Sequence, residues 1–435
     1  MASTRLGTAS ASLADLLQAA PVDLEKYEAL YKHFHQHPEL SNLEVETAKK
    51  VVQQLSQLQE FNITTNIGGH GLAGVLHNGP GRTILLRADM DGLPILEATG
   101  LPYASTVTMA DAEGVVRPVM HACGHDMHMT CLLAAAETLV KLKHAWSGTL
   151  IVLFQPAEER GTGARAMVED GLYDRHKIPV PDFLLGQHVM AMRAGSVGSK
   201  LGTIMAAADS MKITLFGVGG HGSQPHRTID PVVMAAHVVV RLQSVVSREI
   251  HPNDISVLTV GSLQAGQTEN VIADTAEIGV DIRSVKPETR VKLLASIRRI
   301  VKAECEASGS TIAPAFRITR HLPNTVNDEW MAKTLAKSFD EHFQGSFDPD
   351  IPTTTIAEDF SVLATSQGRP SAFWHWGGID ETLWDQKLNE GRIDDIPANH
   401  TARFAPTIHP TLQTGVHALC VAALTFFDEK LRRAG

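Results

Sequence analysis

The spacing of apolar residues changes period several times along the chain. Over residues 22–36, Leu24, Tyr27, Leu30, Tyr31 and Phe34 recur on one side of a helical turn, which predicts an amphipathic helix. His37-Pro38 ends it, because the residue before a proline is pushed out of helical geometry. Val45, Ala48, Val51, Val52 and Leu55 repeat the pattern and predict a second helix over 43–59. The runs 72–76 and 83–86 are shorter, apolar and bounded by Gly, Pro and Asn, and predict strands. The second feeds Arg87-Ala-Asp-Met-Asp91, placing Asp89 and Asp91 just past a strand end, where sites gather in α/β sheets. A helix over 127–143 follows, then a buried-type strand over 149–154 that leads into Gln155-Pro-Ala-Glu-Glu159. A helix over 161–170 and a strand over 183–189 carrying His188 continue the alternation, which implies a three-layer α/β domain with a mixed, largely parallel sheet.

Near Gly202 the character shifts. A strand over 211–216, a glycine-rich loop from Gly217 to His226, a helix over 231–246, strands over 256–260 and 276–282, a helix over 286–307 and a strand over 312–319 give a βαββαβ order. This predicts a smaller α+β domain inserted into the first. The expected boundaries are 21–203 and 322–435 for the two parts of the main domain and 204–321 for the insert. The returning part holds a helix over 328–341, Glu358-Asp-Phe-Ser361, a strand over 372–376 and a helix over 410–432. Residues 1–20, rich in Ser, Thr and Ala, are expected to be a loosely attached lead-in.

Charge and composition narrow the partners. A net charge of −10 with no basic tract argues against nucleic acid or an anionic membrane. No apolar run reaches the roughly 20 residues that span a bilayer. Neither the first 20 residues nor the final Arg-Arg-Ala-Gly resembles a signal peptide, lipidation or retention signal. A cytoplasmic enzyme is the expectation. The 4 cysteines are too scattered for a disulfide framework; Cys131, Cys305 and Cys420 fall in helical patterns as small buried hydrophobes.

Cys123 differs through its neighbours. His121, Cys123, His125, Asp126 and His128 crowd one short stretch, and all are side chains that bind metal. Further candidates stand near strand ends or far downstream: Glu158 or Glu159, His188 and His400. Imidazole, carboxylate and thiolate together suit zinc, manganese, cobalt or nickel rather than calcium or magnesium. In the adjacent pair Glu158-Glu159, one carboxylate can bind metal while the other takes a proton from water, the division a hydrolase needs. His33, His35 and His37 suit an exposed helix end and are given no chemistry. Singly, a histidine or a Glu-Glu pair is more often structural; their co-occurrence carries the weight.

In this order the segments resemble the metal-dependent aminoacylase and carboxypeptidase family, in particular its amidohydrolase branch with hippurate hydrolase and the hydrolases of indole-acetyl amino acid conjugates. The resemblance runs from His35-Gln-His-Pro-Glu-Leu-Ser41 to Pro410 through Arg87-Ala-Asp-Met-Asp91, Met120-His-Ala-Cys-Gly-His-Asp126, Phe154-Gln-Pro-Ala-Glu-Glu159, Gln187-His-Val189, Gly219-Gly-His-Gly222 with Pro225-His226, Asn270-Val-Ile272, Glu358-Asp-Phe-Ser361 and His400. It implies a catalytic domain interrupted by a lid that mediates a homodimer. It implies two divalent metal ions held by Cys123 as the bridge, His125, Glu159, His188 and His400. Glu158 is implied as general base and acid, and His221 as an oxyanion donor reaching the partner subunit. Asn270, with His226 as a weaker candidate, is implied to contact substrate, and Asp89 and Asp91 to orient ligands. Asp126 and His121 are then expected to hold the loop, and His128 to pack at a helix start. The activity implied is cleavage of N-acyl amino acids or related amides to a carboxylic acid and an amino acid. Alternatives on the same residues are a dipeptidase, a condensing enzyme, a catalytically silent binding dimer, or a cysteine hydrolase using Cys123 and His125. The chain departs from the family's pattern at Gly92, Ala273 and His400-Thr-Ala-Arg403, which bears on the pocket walls and leaves every implied ligand in place.

Overall fold

Thr83–Asp89, Gly148–Gln155, Phe183–Arg193 and Ser371–Ile379 are nearly unbroken apolar runs, the pattern of strands covered on both faces. The computed structural model, which describes residues 12–428, makes them the parallel centre of a mixed eight-stranded sheet. The order across it is Asn62–Ile67, Gly71–Asn78, Gly148–Gln155, Thr83–Asp89, Phe183–Arg193, Ser371–Ile379, Val197–Gly198 and Phe347–Asp348. Asn62–Ile67 and Gly71–Asn78 run antiparallel at one edge. The expected three-layer α/β domain is therefore what forms.

Two helices anchor the core of this unit. Thr411–Phe427 is apolar around its whole circumference and buried along its length, as such a helix must be. It packs on His125–Lys141, which is also buried on nearly every side. The residues expected to form a loose lead-in behave differently. Leu13–Ala19 is a helix started by a reciprocal capping box between Ser12 and Asp15. Its Leu17 and the following Ala20 join the main core. Residues 1–11 and 429–435 lie outside the described part, including the last residues of the helix expected to reach 432.

Contacts divide the chain into two compact units. The first runs to Gly202 and resumes over Val326–Ile351 and from Val362 onward; the second comprises Thr203–Thr325 with Pro352–Ser361. Pro352–Ser361 thus falls with the second unit, away from the main domain in which the sequence boundaries had it. The reason is backbone pairing: Thr354 N–H donates to Ile204 O at 3.0 Å and Ala206 N–H to Thr354 O at 3.0 Å. The second unit holds a four-stranded antiparallel sheet in the order Ser256–Ala265, Thr275–Ser284, Ala207–Phe216 and Ala315–Leu322. Alternate residues Ala276, Ile278, Val280 and Ile282 are buried with Met211, Ile213 and Leu215 under the helices Pro231–Leu242 and Pro287–Ala307. No described helix is long and apolar enough to cross a membrane.

One buried side chain ties three backbone groups in the first unit. Asn327 Nδ2 donates to Lys200 O at 2.8 Å and Phe373 O at 2.9 Å, and its Oδ1 accepts from Phe373 N–H at 2.7 Å. Asn327→Ala orphans these groups in an interior position and is expected to cost about 3 kcal/mol, read as a lower urea midpoint at unchanged slope.

Candidate metal centre

The parallel strands deliver their carboxyl ends to one place. Arg87 pairs with Gly186, so Asp89 and His188, two residues further on, stand at the same level of the sheet. His188 in turn pairs with His375 on the next strand. Cys123 and His125 arrive from the start of helix His125–Lys141. Gly124 between them has φ +84, and a Cβ there would meet Val189 Cγ1 at 2.4 Å, so glycine is required both by conformation and by the approach to the His188 strand. Two turns bring the remaining groups with non-glycine residues in left-handed conformation: Ala157 at φ +49, just before Glu158-Glu159, and His400 at φ +69. Such conformations persist only where the surroundings hold them. His400 is held by backbone contacts: its N–H donates to Ala122 O at 2.8 Å, and Asn399 Nδ2 donates to Cys123 O at 3.2 Å and Val189 O at 3.0 Å.

The five expected donors converge. Cys123 Sγ lies 3.4 Å from His188 Nε2 and 3.2 Å from His400 Nε2. Glu159 Oε1 lies 3.2 Å from His400 Nε2 and 3.8 Å from His125 Nε2. His188 Nδ1–H donates to Val189 O at 2.7 Å, which fixes the tautomer and turns the Nε2 lone pair toward Cys123. Both ring nitrogens of His125 and Glu159 Oε1 are buried without a hydrogen-bond partner. Unsatisfied polar atoms of this kind are costly in an interior unless something binds them. A transition-metal ion fits: the atoms are nitrogen, sulfur and oxygen donors whose lone pairs face one another, with Cys123, Glu159 and His400 forming one candidate group and Cys123, His125 and His188 another.

Asp89, His125 and His128 also lie close enough to hold an ion, yet the lone pairs of Asp89 and His128 are taken. Asp89 accepts from His128 Nδ1–H at 2.5 Å and from Arg87 at 2.7 Å. His128 Nε2 accepts Val189 N–H at 3.0 Å. His128 therefore does more than pack at a helix start, the role the sequence suggested. Asp91 faces His125 Nδ1 at 3.3 Å and accepts Ser41 Oγ–H at 2.6 Å. His121 was expected to hold the loop, but both its ring nitrogens are buried without a hydrogen bond, and burial pushes it down to about 4. Asp126 Oδ1 accepts Met127 N–H at 2.9 Å within the first turn of the helix.

Charge in the cluster is dominated by acids. Burial opposes a charged His125, but Asp89, Asp91 and Glu159 outweigh it and push the ring up to about 10. Cys123 goes the same way for the opposite group: burial first, then the Glu159, Glu158 and Asp89 charges, raise its thiol well above the usual range. That direction is wrong for a nucleophilic cysteine, which needs a cationic setting. It suits a thiol whose proton is displaced by a cation.

His35, left without chemistry as one of an exposed set, is buried with Nδ1 2.6 Å from Asp126 and Nε2 3.0 Å from Glu97. Its partners lie 91 and 62 residues away, so nothing local signalled them. In the second unit, Gly220–His221 pairs with Val271–Ile272, and Gly222 N–H donates to Asn270 O at 2.8 Å, which puts His221 and Asn270 on one exposed ladder. His221 Nδ1 accepts from Ser223 Oγ–H at 2.8 Å, and His226 stands in the short helix Pro225–Arg227 that follows.

Comparison with known proteins shows the family of the chain. Residues 85–398 match Peptidase family M20/M25/M40. The chain is 38% identical over 313 residues to hippurate hydrolase of Campylobacter jejuni, covering 71% of this chain and 77% of that protein. It is 34% identical over 382 residues to N-acetyl-L-cysteine deacetylase of Bacillus subtilis, covering 84% and 85%. Among solved structures, the YXEP protein of Bacillus subtilis, described as a dinuclear metal binding peptidase, is similar with a TM-score of 0.71 and 26% identity, covering 92% of this chain and 97% of that one.

The His35 triad gives a pH test. Burial disfavours its charge, but Asp126 and Glu97 more than compensate and raise the ring from 6.5 to about 9. A raised folded value means the contribution is complete below pH 6.5 and is lost as pH rises through about 9. The loss is expected to total about 3 kcal/mol. His35→Gln should flatten the fall in unfolding free energy between pH 6.5 and 9, measured by urea titration at each pH.

Proposed function

The chain belongs to Peptidase family M20/M25/M40, and from that premise we propose that it is a metal-dependent amidohydrolase cleaving N-acyl amino acids or related amide conjugates to a carboxylic acid and an amino acid. The observation that carries the reading is the convergence of Cys123, His125, Glu159, His188 and His400, with both ring nitrogens of His125 and Glu159 Oε1 buried and unpaired, beside a second carboxylate at Glu158. Hippurate and N-acetyl-L-cysteine, the compounds in the relatives' names, are both N-acyl amino acids, which supports the substrate class.

Those five side chains would hold two divalent ions of the zinc, manganese, cobalt or nickel type, which when bound would supply Lewis acidity toward the amide carbonyl and lower the pKa of a water. Glu158 takes the proton of the attacking water as oxygen bonds to the carbonyl carbon. It then gives that proton to the nitrogen as the C–N bond breaks, so the amine leaves neutral and the carbonyl carbon becomes a carboxylic acid. Glu158 is only 5% exposed, so its carboxylate is largely screened from bulk solvent. Asp89 and Asp91 orient: the first is locked between His128 and Arg87, the second faces His125 and holds the Glu158 turn. In a homodimer, His221 serves the partner subunit, donating to the carbonyl oxygen as charge develops there, a contribution of about 3 kcal/mol. Asn270, with His226, binds the substrate's carboxylate or amide.

Glu158→Gln should keep its metal by elemental analysis and lose roughly 10²–10⁴ in kcat on an N-acyl amino acid. Wild-type kcat in that variant would sink the assignment. A chelator should abolish hydrolysis across a panel of N-acyl amino acids and dipeptides, and re-addition of one of the four metals should restore it. Activity that survives chelation points instead to Cys123.

A further inference from the structure

We infer that Glu44, which no other role claims, is a positioning residue for the turn that carries Glu158 and Glu159; this rests on the reading of those two as base and ligand. Three successive amides of that turn are held by two carboxylates. Ala157 N–H donates to Glu44 Oε1 at 2.8 Å, Glu158 N–H to Asp91 Oδ1 at 3.2 Å, and Glu159 N–H to Asp91 Oδ2 at 3.0 Å. Ala157 is the left-handed residue at φ +49, so the amide that Glu44 holds belongs to the strained position of the turn. Without an acceptor there, an alanine relaxes toward negative φ, and the two following side chains swing with it.

Glu44 is placed for this job and for no ordinary one. It is the residue that precedes helix Val45–Ser56, where an acidic side chain normally caps the first amides, yet it makes no side-chain cap bond. Its carboxylate turns inward instead, fully buried, and accepts Asn42 N–H at 2.9 Å as well as Ala157 N–H. The same loop controls the second carboxylate, through Ser41 Oγ–H on Asp91 Oδ2. The other oxygen, Glu44 Oε2, is buried without a hydrogen-bond partner. One oxygen accepts both N–H groups, and the amide oxygen of a glutamine reproduces that acceptor. The loop between the first two long helices thus sets the geometry of a turn 113 residues away.

The test uses the full-length protein, with Glu44→Gln, Glu44→Ala and the volume-filling Glu44→Met. Hydrogen–deuterium exchange of the peptide covering 156–162 reads the turn directly. The Ala and Met variants should exchange there roughly tenfold faster or more, and Glu44→Gln within about threefold of wild type. On an N-acyl amino acid, Ala and Met should lose roughly 10²-fold in kcat with little change in KM, because the base and not the binding surface is displaced. The d–d absorption of added Co²⁺ should change in the same two variants and be kept in Glu44→Gln. Wild-type exchange over 156–162 in Glu44→Ala or Glu44→Met, or a Glu44→Gln as impaired as they are, overturns the inference. Should the wild-type protein hydrolyse no amide, the proposed function fails, and the exchange and cobalt measurements still decide the role of Glu44.

Discussion

Asp89, Asp91, Glu158, Glu159 and the Cys123 thiol crowd one end of the sheet, and the buried guanidinium beside them is Arg87. Bringing that much acid into a low-dielectric interior is unfavourable unless positive charge accompanies it. Everything around the cluster can be understood as an answer to this problem. Arg87 and His128 take up Asp89. Backbone amides and a serine hydroxyl take up Asp91. What is left over, the sulfur, His125, His188, His400 and Glu159, is the part that a cation would have to satisfy. The raised His125 and the raised Cys123 are two expressions of the same concentration of acid.

That division also explains why the fold is built as it is. Parallel strands line up their carboxyl ends, so Asp89, the Glu158 turn and His188 arrive from three neighbouring strands without long loops. Cys123 and His125 need a closer approach, which the glycine between them permits. His400 comes from far along the chain on a short turn pinned to Ala122, Cys123 and Val189. Two of the non-glycine residues in left-handed conformation, Ala157 and His400, stand at the cluster, and each is held by a hydrogen bond to a distant segment.

The sequence made some of this legible and hid the rest for definite reasons. Unbroken apolar runs declared the central strands, and the βαββαβ rhythm of the second unit came through because alternate residues such as Ile278, Val280 and Ile282 face its helices. Metal-binding side chains that stand near strand ends, or crowd one loop, are visible as a dense and ordered set. The edge strand Asn62–Ile67 was not seen: only its last residue is buried, so it lacks a repeating apolar signal. Helix Leu13–Ala19 was passed over although Ser12 and Asp15 stand at capping-box spacing, a signal that could have found it. Glu44, His35 and His128 were invisible in another way. Their partners lie 113, 91 and 39 residues off, and only sheet register and helix packing bring them into range.

A buried donor becomes informative through what its other atoms do. His128 and His188 are both fully enclosed imidazoles in the same cluster, and composition alone gives no reason to separate them. Their hydrogen bonds do. His128 has one nitrogen donating to Asp89 and the other accepting from Val189, so its lone pair is spent. His188 donates once, to Val189 O, and its second nitrogen faces sulfur across 3.4 Å. The same accounting separates Asp89, with both oxygens engaged by Arg87 and His128, from Glu159, with Oε1 buried and unpartnered. Candidate ligand and support are thus distinguished by which lone pairs the protein itself has already used, and the candidate ligands come from four separate segments that meet only in the folded state.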